Sequence, residues 1–291
     1  MPDPTEGPTA LRLVLGLQLR QLREARHISA ADAARAIRAT PSKISRIELG
    51  RSAIKEIDVL DLLTYYGVDA AEREQFLKIA EQASHHGWWH RYGDILPPWF
   101  QTYIGMEESA KAIRAYEPLF VPGLLQTPQY AAAVLALGDI PPSEAERHVI
   151  LRKERQRRFT EGRVKLWVII EETALRRPIG SREILLDQLQ YLLSLTDRSN
   201  LTLQIIPFGR GGHAVPSGFT ILRFDGADLQ DVAYLEHLTS ALYFDKKSDV
   251  DRYLLAMERL SIVSAKPSET PGLLAAIIKQ LEDELEWTTT A

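Results

Sequence analysis

The chain of 291 residues has no cysteine, which rules out thiol catalysis, disulfides and cysteine-held zinc or iron–sulfur centres. It has no apolar run near the roughly 20 residues that span a bilayer, and so reads as non-membrane. The opening MPDPTEGPTA has no basic stretch leading into an apolar one, so residues 1–10 read as a loose tail and not a signal peptide, and a cytoplasmic protein is expected. Catalytic signatures are missing too: there is no GxSxG, HExxH, phosphate-loop or dinucleotide motif, so no enzyme and no cofactor are expected. What remains is an ordinary composition, 45% hydrophobic and 25% charged, on a chain long enough for two domains.

The formal net charge of -4 hides an imbalance. Between residues 11 and 55 ten Lys and Arg face only Glu24, Asp32 and Glu48, so a basic module is joined to an acidic remainder. A basic module of this kind suits a polyanion.

Within it, Leu15, Leu19 and Leu22 recur at helical spacing among Arg20, Arg23 and Arg26, giving an amphipathic helix that stops near His27. Ser29 with Asp32 forms a capping-box variant opening a short alanine-rich helix. Thr40 then supplies an N-cap, Pro41 an N1 residue and Gly50 a C′ residue for a third helix. On that helix Ile44 and Ile47 should face inward, leaving Ser42, Lys43, Ser45 and Arg46 outside. Short polar side chains near a helix start admit phosphate, and a guanidinium reaches a guanine edge by two parallel hydrogen bonds, as a helix in the DNA major groove requires. The bland alternative is a solvated basic face on a structural bundle. Two further helices, in IKEIDVLDLLTYYGV with Ile57, Leu60, Leu63 and Tyr66 inward and in DAAEREQFLKIAEQAS capped by Asp69 with Glu72, complete a domain over 11–84.

The segment LRQLREARHISAADAARAIRATPSKISRIELGR resembles the helix-turn-helix of the XRE, or phage-repressor, family. That resemblance implies a lambda-repressor-like all-α domain of five helices that binds double-stranded DNA, in which Arg23 pairs with Glu48. Where the family places a phosphate-binding glutamine at the start of its second helix this chain has Ala30, and Arg35, Arg38 and Arg51 stand as substitutes.

Residues 85–104 form an aromatic junction in which Trp88, Trp89, Tyr92, Trp99 and Phe100 suit a domain contact. His85, His86 and His90 with Asp94 invite a metal reading, but their spacing fits no ligand pattern, and none is expected. Over 105–291 we read an α+β domain with a small, mainly antiparallel sheet. Its helices fall near 106–116, 127–137, 143–160 with a Ser143–Glu146 capping box, 181–195, 249–264 and 270–286; its strands fall at VKLWVIIEE, LTLQIIPF, FTILRF, 232–236 and 241–244. The loop GRGGHAVPSG reads as a flexible hairpin loop or, less simply, an anion cradle. Arg147, Arg152, Lys153, Arg155, Arg157 and Arg158 read as a solvated face, with phosphate or acidic-partner docking as the alternative, and Asp249 with Asp251 as a helix start.

GWWHRYGDILPPWFQTYIGMEESAKAIRAYEPLFVPGLLQTPQYA, LWVIIEETALRRPIG and VAYLEHLTSALYF resemble the large carboxy-terminal domain of an actinobacterial group of XRE regulators. The resemblance implies a regulator encoded beside a small partner protein and described as antitoxin-like. A single helix-turn-helix reads few bases, so a homodimer on two half-sites is expected.

Overall fold

The computed structural model describes residues 8–50, 52, 54–85, 87–138, 140–210, 212–225 and 230–290. It divides into two units, residues 1–109 with 224–230, and residues 110–223 with 231–291.

The first unit is helical among its described residues. Helix α1 (Pro8–Ala25) buries Leu15 and Leu19 as its spacing requires, and begins three residues before Leu11. α2 (Ala30–Ala36) opens with Ser29 Oγ accepting from the Asp32 amide at 3.1 Å. α3 (Pro41–Glu48) opens with Thr40 Oγ1 accepting from the Lys43 amide at 3.3 Å, and closes on Gly50 at φ 62°, the left-handed conformation that glycine adopts without a Cβ penalty. α4 (Glu56–Tyr65) and α5 (Ala70–Ser84) complete the five expected helices, and Asp69 caps α5 by accepting from the Glu72 amide at 2.9 Å. The inner face of α4 differs from expectation. Val59, Leu62, Leu63 and Tyr66 are buried, Leu60 is half-buried, and Ile57 is 58% exposed. Leu62 and Val59 fit the core stripe as well by period, and packing against the α2–α3 core settles the rotation.

Past α5, a short 3-10 turn (Trp88–Tyr92) and α6 (Pro98–Ser109) also belong to this unit. Trp89 and Tyr92 are buried, Trp88 stands edge-on to both, and its Nε1 donates to Glu108 at 3.1 Å. Phe100 touches Trp99 edge-on and stacks on Tyr103. His86 lies outside the described residues, among which no group of His, Cys, Asp and Glu is arranged to hold a metal.

The second unit is built on a six-stranded sheet in the order β3-β2-β1-β4-β5-β6, comprising β1 (Ala112–Glu117), β2 (Lys165–Glu171), β3 (Leu201–Ile206), β4 (Phe219–Arg223), β5 (Val232–Glu236) and β6 (Ala241–Phe244). It is larger than expected and mixed, because β1 pairs β2 and β2 pairs β3 in parallel, while β4, β5 and β6 add on antiparallel. The expected helix over 106–116 is in fact the end of α6 followed by β1. Ala, Lys and Arg in KAIRAY favour a helix locally. Hydrogen bonding to β2 on one side and β4 on the other, with Tyr116 opposite both Ile169 and Phe219, overrides that preference. With β1 in place, α7 (Pro128–Leu135) and α8 (Pro142–Thr160) become the crossover to β2, and α9 (Glu172–Arg176) and α10 (Arg182–Leu195) the crossover to β3, as parallel strands require.

α8 starts on Pro141 as N-cap with no side-chain cap, so the Ser143–Glu146 box does not form; Pro142 at N1 fixes the start one residue earlier. α11 (Lys247–Val263) likewise starts ahead of Asp249, which charges its first turn without capping it. α11 packs Met257 and Leu260 on Tyr116, Ile169, Phe219 and Ile221. α12 (Thr270–Thr290) follows a 3-10 turn (Pro267–Glu269) that runs along β3. There the Ala265 amide donates to the Ile205 carbonyl at 2.8 Å and Thr270 Oγ1 donates to that of Leu203 at 2.7 Å.

Candidate nucleic-acid interface

α3 is held from three sides. Ile44 and Ile47 are buried in the core beneath it. Glu48, also buried, accepts from Arg23 Nε at 2.6 Å and Nη2 at 2.9 Å, while Arg23 Nη1 donates to the Ile28 carbonyl at 2.9 Å, so the fork of one guanidinium ties α1, the turn before α2 and the end of α3. The hydrogen bond to Glu48 raises the Arg23 pKa, burial opposing it. Tyr66 is buried within the field of the same pair, and burial, then the Glu48 charge, pushes its hydroxyl pKa up. Third, the backbones of α1 and α3 meet at Gly16, where a side-chain carbon would run into the Ile47 carbonyl and lie 2.8 Å from that of Glu48.

What this scaffold presents is Pro41, Ser42, Ser45 and Arg46, all exposed, with the exposed Thr40 at the helix start. Lys43 is different. It is half-buried, and its Nζ donates to Asp58 Oδ2 on α4 at 2.7 Å. Its charge is thus partly answered inside the unit, and it braces α3 while standing at its edge. Asp58 carried no signal in the sequence, because its role depends on where α4 packs in the fold.

The other basic candidates surround this face. Arg35 is exposed and pairs with Asp32, whose carboxyl is held below its usual range first by Ser29 and then by Arg35. Arg38 is exposed in the α2–α3 turn at φ 53°, a conformation that side-chain-bearing residues seldom take. Arg51 lies outside the described residues. Arg12, which counts in the sequence only toward the positive charge of the basic module, donates to the carbonyls of Ala83 at 2.8 Å and His85 at 3.0 Å, closing the end of α5.

In the second unit the sequence missed a titratable cluster. The GRGGHAVPSG segment is not a hairpin loop, since β3 and β4 are separated in the sheet by β2 and β1. Gly211 lies outside the described residues; residues 212–218 meet the ends of those two strands, anchored where His213 Nε2 meets Glu171 Oε1 at 2.7 Å and the Tyr116 hydroxyl at 3.1 Å, with Tyr116 donating to Glu171 at 3.0 Å. The Val215 amide donates to His213 Nδ1 at 3.2 Å, which places the proton of a neutral ring on Nε2, toward the carboxylate. A carboxylate at its anchor makes this segment a poor anion cradle. Nearby at the end of β1, burial and then the charge of Glu236 push the Glu117 carboxyl up to about 8. On α8, Arg155 is buried and Arg152 half-buried and hydrogen-bonded to Gln126, while Lys153 and Arg157 are exposed, so only part of that basic run is a solvated face.

Residues 14–76 match the family model of a helix-turn-helix domain. Residues 100–276, more than half of the chain, match that of a domain of unknown function, DUF5753, and the protein belongs to that family. No curated protein and no solved structure matches the chain. Among the described residues no helix is long and apolar enough to cross a membrane.

Proposed function

We propose that the protein is a sequence-specific DNA-binding transcriptional regulator of the XRE type, and not an enzyme, in which α3 lies in the major groove. One observation carries this reading: a capped helix, clamped from behind by Ile44, Ile47 and the Arg23–Glu48 pair, turns Ser42, Ser45 and Arg46 outward. Rigid placement of a few side chains on a helix is what base readout needs. Arg46 is assigned to a base edge, Ser42 and Ser45 to close approach of the backbone, and Arg35 and Arg38 to phosphates. The second unit is assigned to dimerisation, which a single helix-turn-helix calls for, and to receiving a small partner protein or effector, in line with the partner gene that the resemblance implies. An antitoxin-like protein that mainly sequesters such a partner is the second reading.

The test is Arg46→Ala on a selected duplex and on random duplex. Discrimination at one base pair should fall by about 1–3 kcal/mol. Equal losses on both duplexes would remove Arg46 from readout. Absence of any salt-dependent duplex binding by the intact protein would end the DNA-binding reading altogether.

A further inference from the structure

We propose that the outer face of α11 is a homodimer surface, on which a second copy of this chain docks with its own α11 parallel to the first. The inner face of α11 covers the sheet, yet its outer face carries Leu255 at 46% and Ile262 at 79% exposure. Seven residues apart, these lie almost in line along the helix. By the same geometry exposed Asp251 and Glu258 fall on one side of that line, and exposed Arg252 and Arg259 on the other. Among the described residues Arg252 and Arg259 make no ion pair, Glu258 has none either but lies within the field of Arg114 on β1, and Asp251 has only an exposed one with Lys247 at 2.8 Å.

An apolar line with an acidic and a basic flank is self-complementary in one orientation. A two-fold axis parallel to the helix sets Leu255 against Leu255 and Ile262 against Ile262, and lays each acidic flank on the partner's basic flank. An antiparallel pair would lay acid on acid and base on base, so the same charges that favour the parallel pair oppose the alternative. A single helix face is a small interface, which fits a weak dimer. The surface names the dimer contact that the DNA-binding reading calls for and rests on that reading for its biological use, while its physical basis is independent of DNA.

The test uses the full chain in sedimentation equilibrium over a concentration series. A concentration-dependent dimer is expected, weakened about tenfold or more by Leu255→Glu or Ile262→Glu. Glu258→Arg and Arg259→Glu should each weaken it, and the two together should restore it. Because the chain has no cysteine, Leu255→Cys provides a single thiol, which should cross-link on oxidation while an exposed control, Lys279→Cys, does not. Circular dichroism checks the fold of each variant. A monomer at every concentration, a dimer indifferent to these changes, or equal cross-linking at the control would overturn the proposal. A monomer that still binds duplex sinks this surface alone, whereas a dimer that binds none sinks the DNA-binding reading alone.

Discussion

Two glutamates, one in each unit, are treated in opposite ways by the protein around them. Glu48 is met by two N–H groups of Arg23 at 2.6 and 2.9 Å. Among the described residues Glu117 has no such donor; its burial and the charge of Glu236 push its carboxyl up to about 8. Burial penalises a charge in both places, and what differs is whether a partner arrives with it. The first carboxylate holds its helix in place through its guanidinium partner; the second is best tolerated while it keeps its proton.

The largest effect should come from breaking the first arrangement. Glu48→Ala leaves the Arg23 guanidinium nearly enclosed with only the Ile28 carbonyl and a long contact to exposed Glu24 at 3.5 Å, and urea unfolding should show a loss of about 3 kcal/mol. Unchanged stability would mean that the pair positions α3 without holding it. Next comes Gly16→Ala, which forces α1 away from the α3 backbone and should cost about 1–3 kcal/mol, with DNA binding falling on every sequence as α3 shifts. Together these separate the ion pair from the backbone contact as the agent that sets α3.

A third test sharpens the contrast from the side of Glu117. Its folded pKa is about 8 and its usual value 4.5. Stability from this group is complete below 4.5, where both states hold the proton, and drains away as pH climbs toward 8, because the unfolded chain ionises first. Glu117→Gln cannot ionise. Its melting temperature should therefore match that of the parent near pH 4.5 and exceed it near pH 8, at roughly 2–4 °C for each kcal/mol regained. Parallel melting curves across that range would contradict the raised pKa.

The two glutamates also differ in how readily the sequence betrays them. Thr40, Pro41, Ile44, Ile47 and Gly50 obey rules that act within one helix, so the cap, inward face and end of α3 could all be read before any fold was known. Glu48 followed from the family pattern. Lys43 could be placed on α3, but not its bond to Asp58, which needs the packing of α4. In the second unit most elements were legible by period and composition, yet β1 was hidden by helix-favouring residues. Losing that central strand concealed the parallel pairing, and with it the meeting of Tyr116, Glu171 and His213, which are 55 and 42 residues apart in the chain. Contacts of that range belong to sheet order, which no local pattern encodes.

The short stretch from Ala265 to Thr270 acts as a hem on the fabric of strands. By occupying the carbonyls of Leu203 and Ile205 it leaves that border of the sheet with less for a stray chain to grip. A version clipped just ahead of Ala265 would therefore be expected to clump, fraying from β3 outward, even if every helix before it had folded correctly.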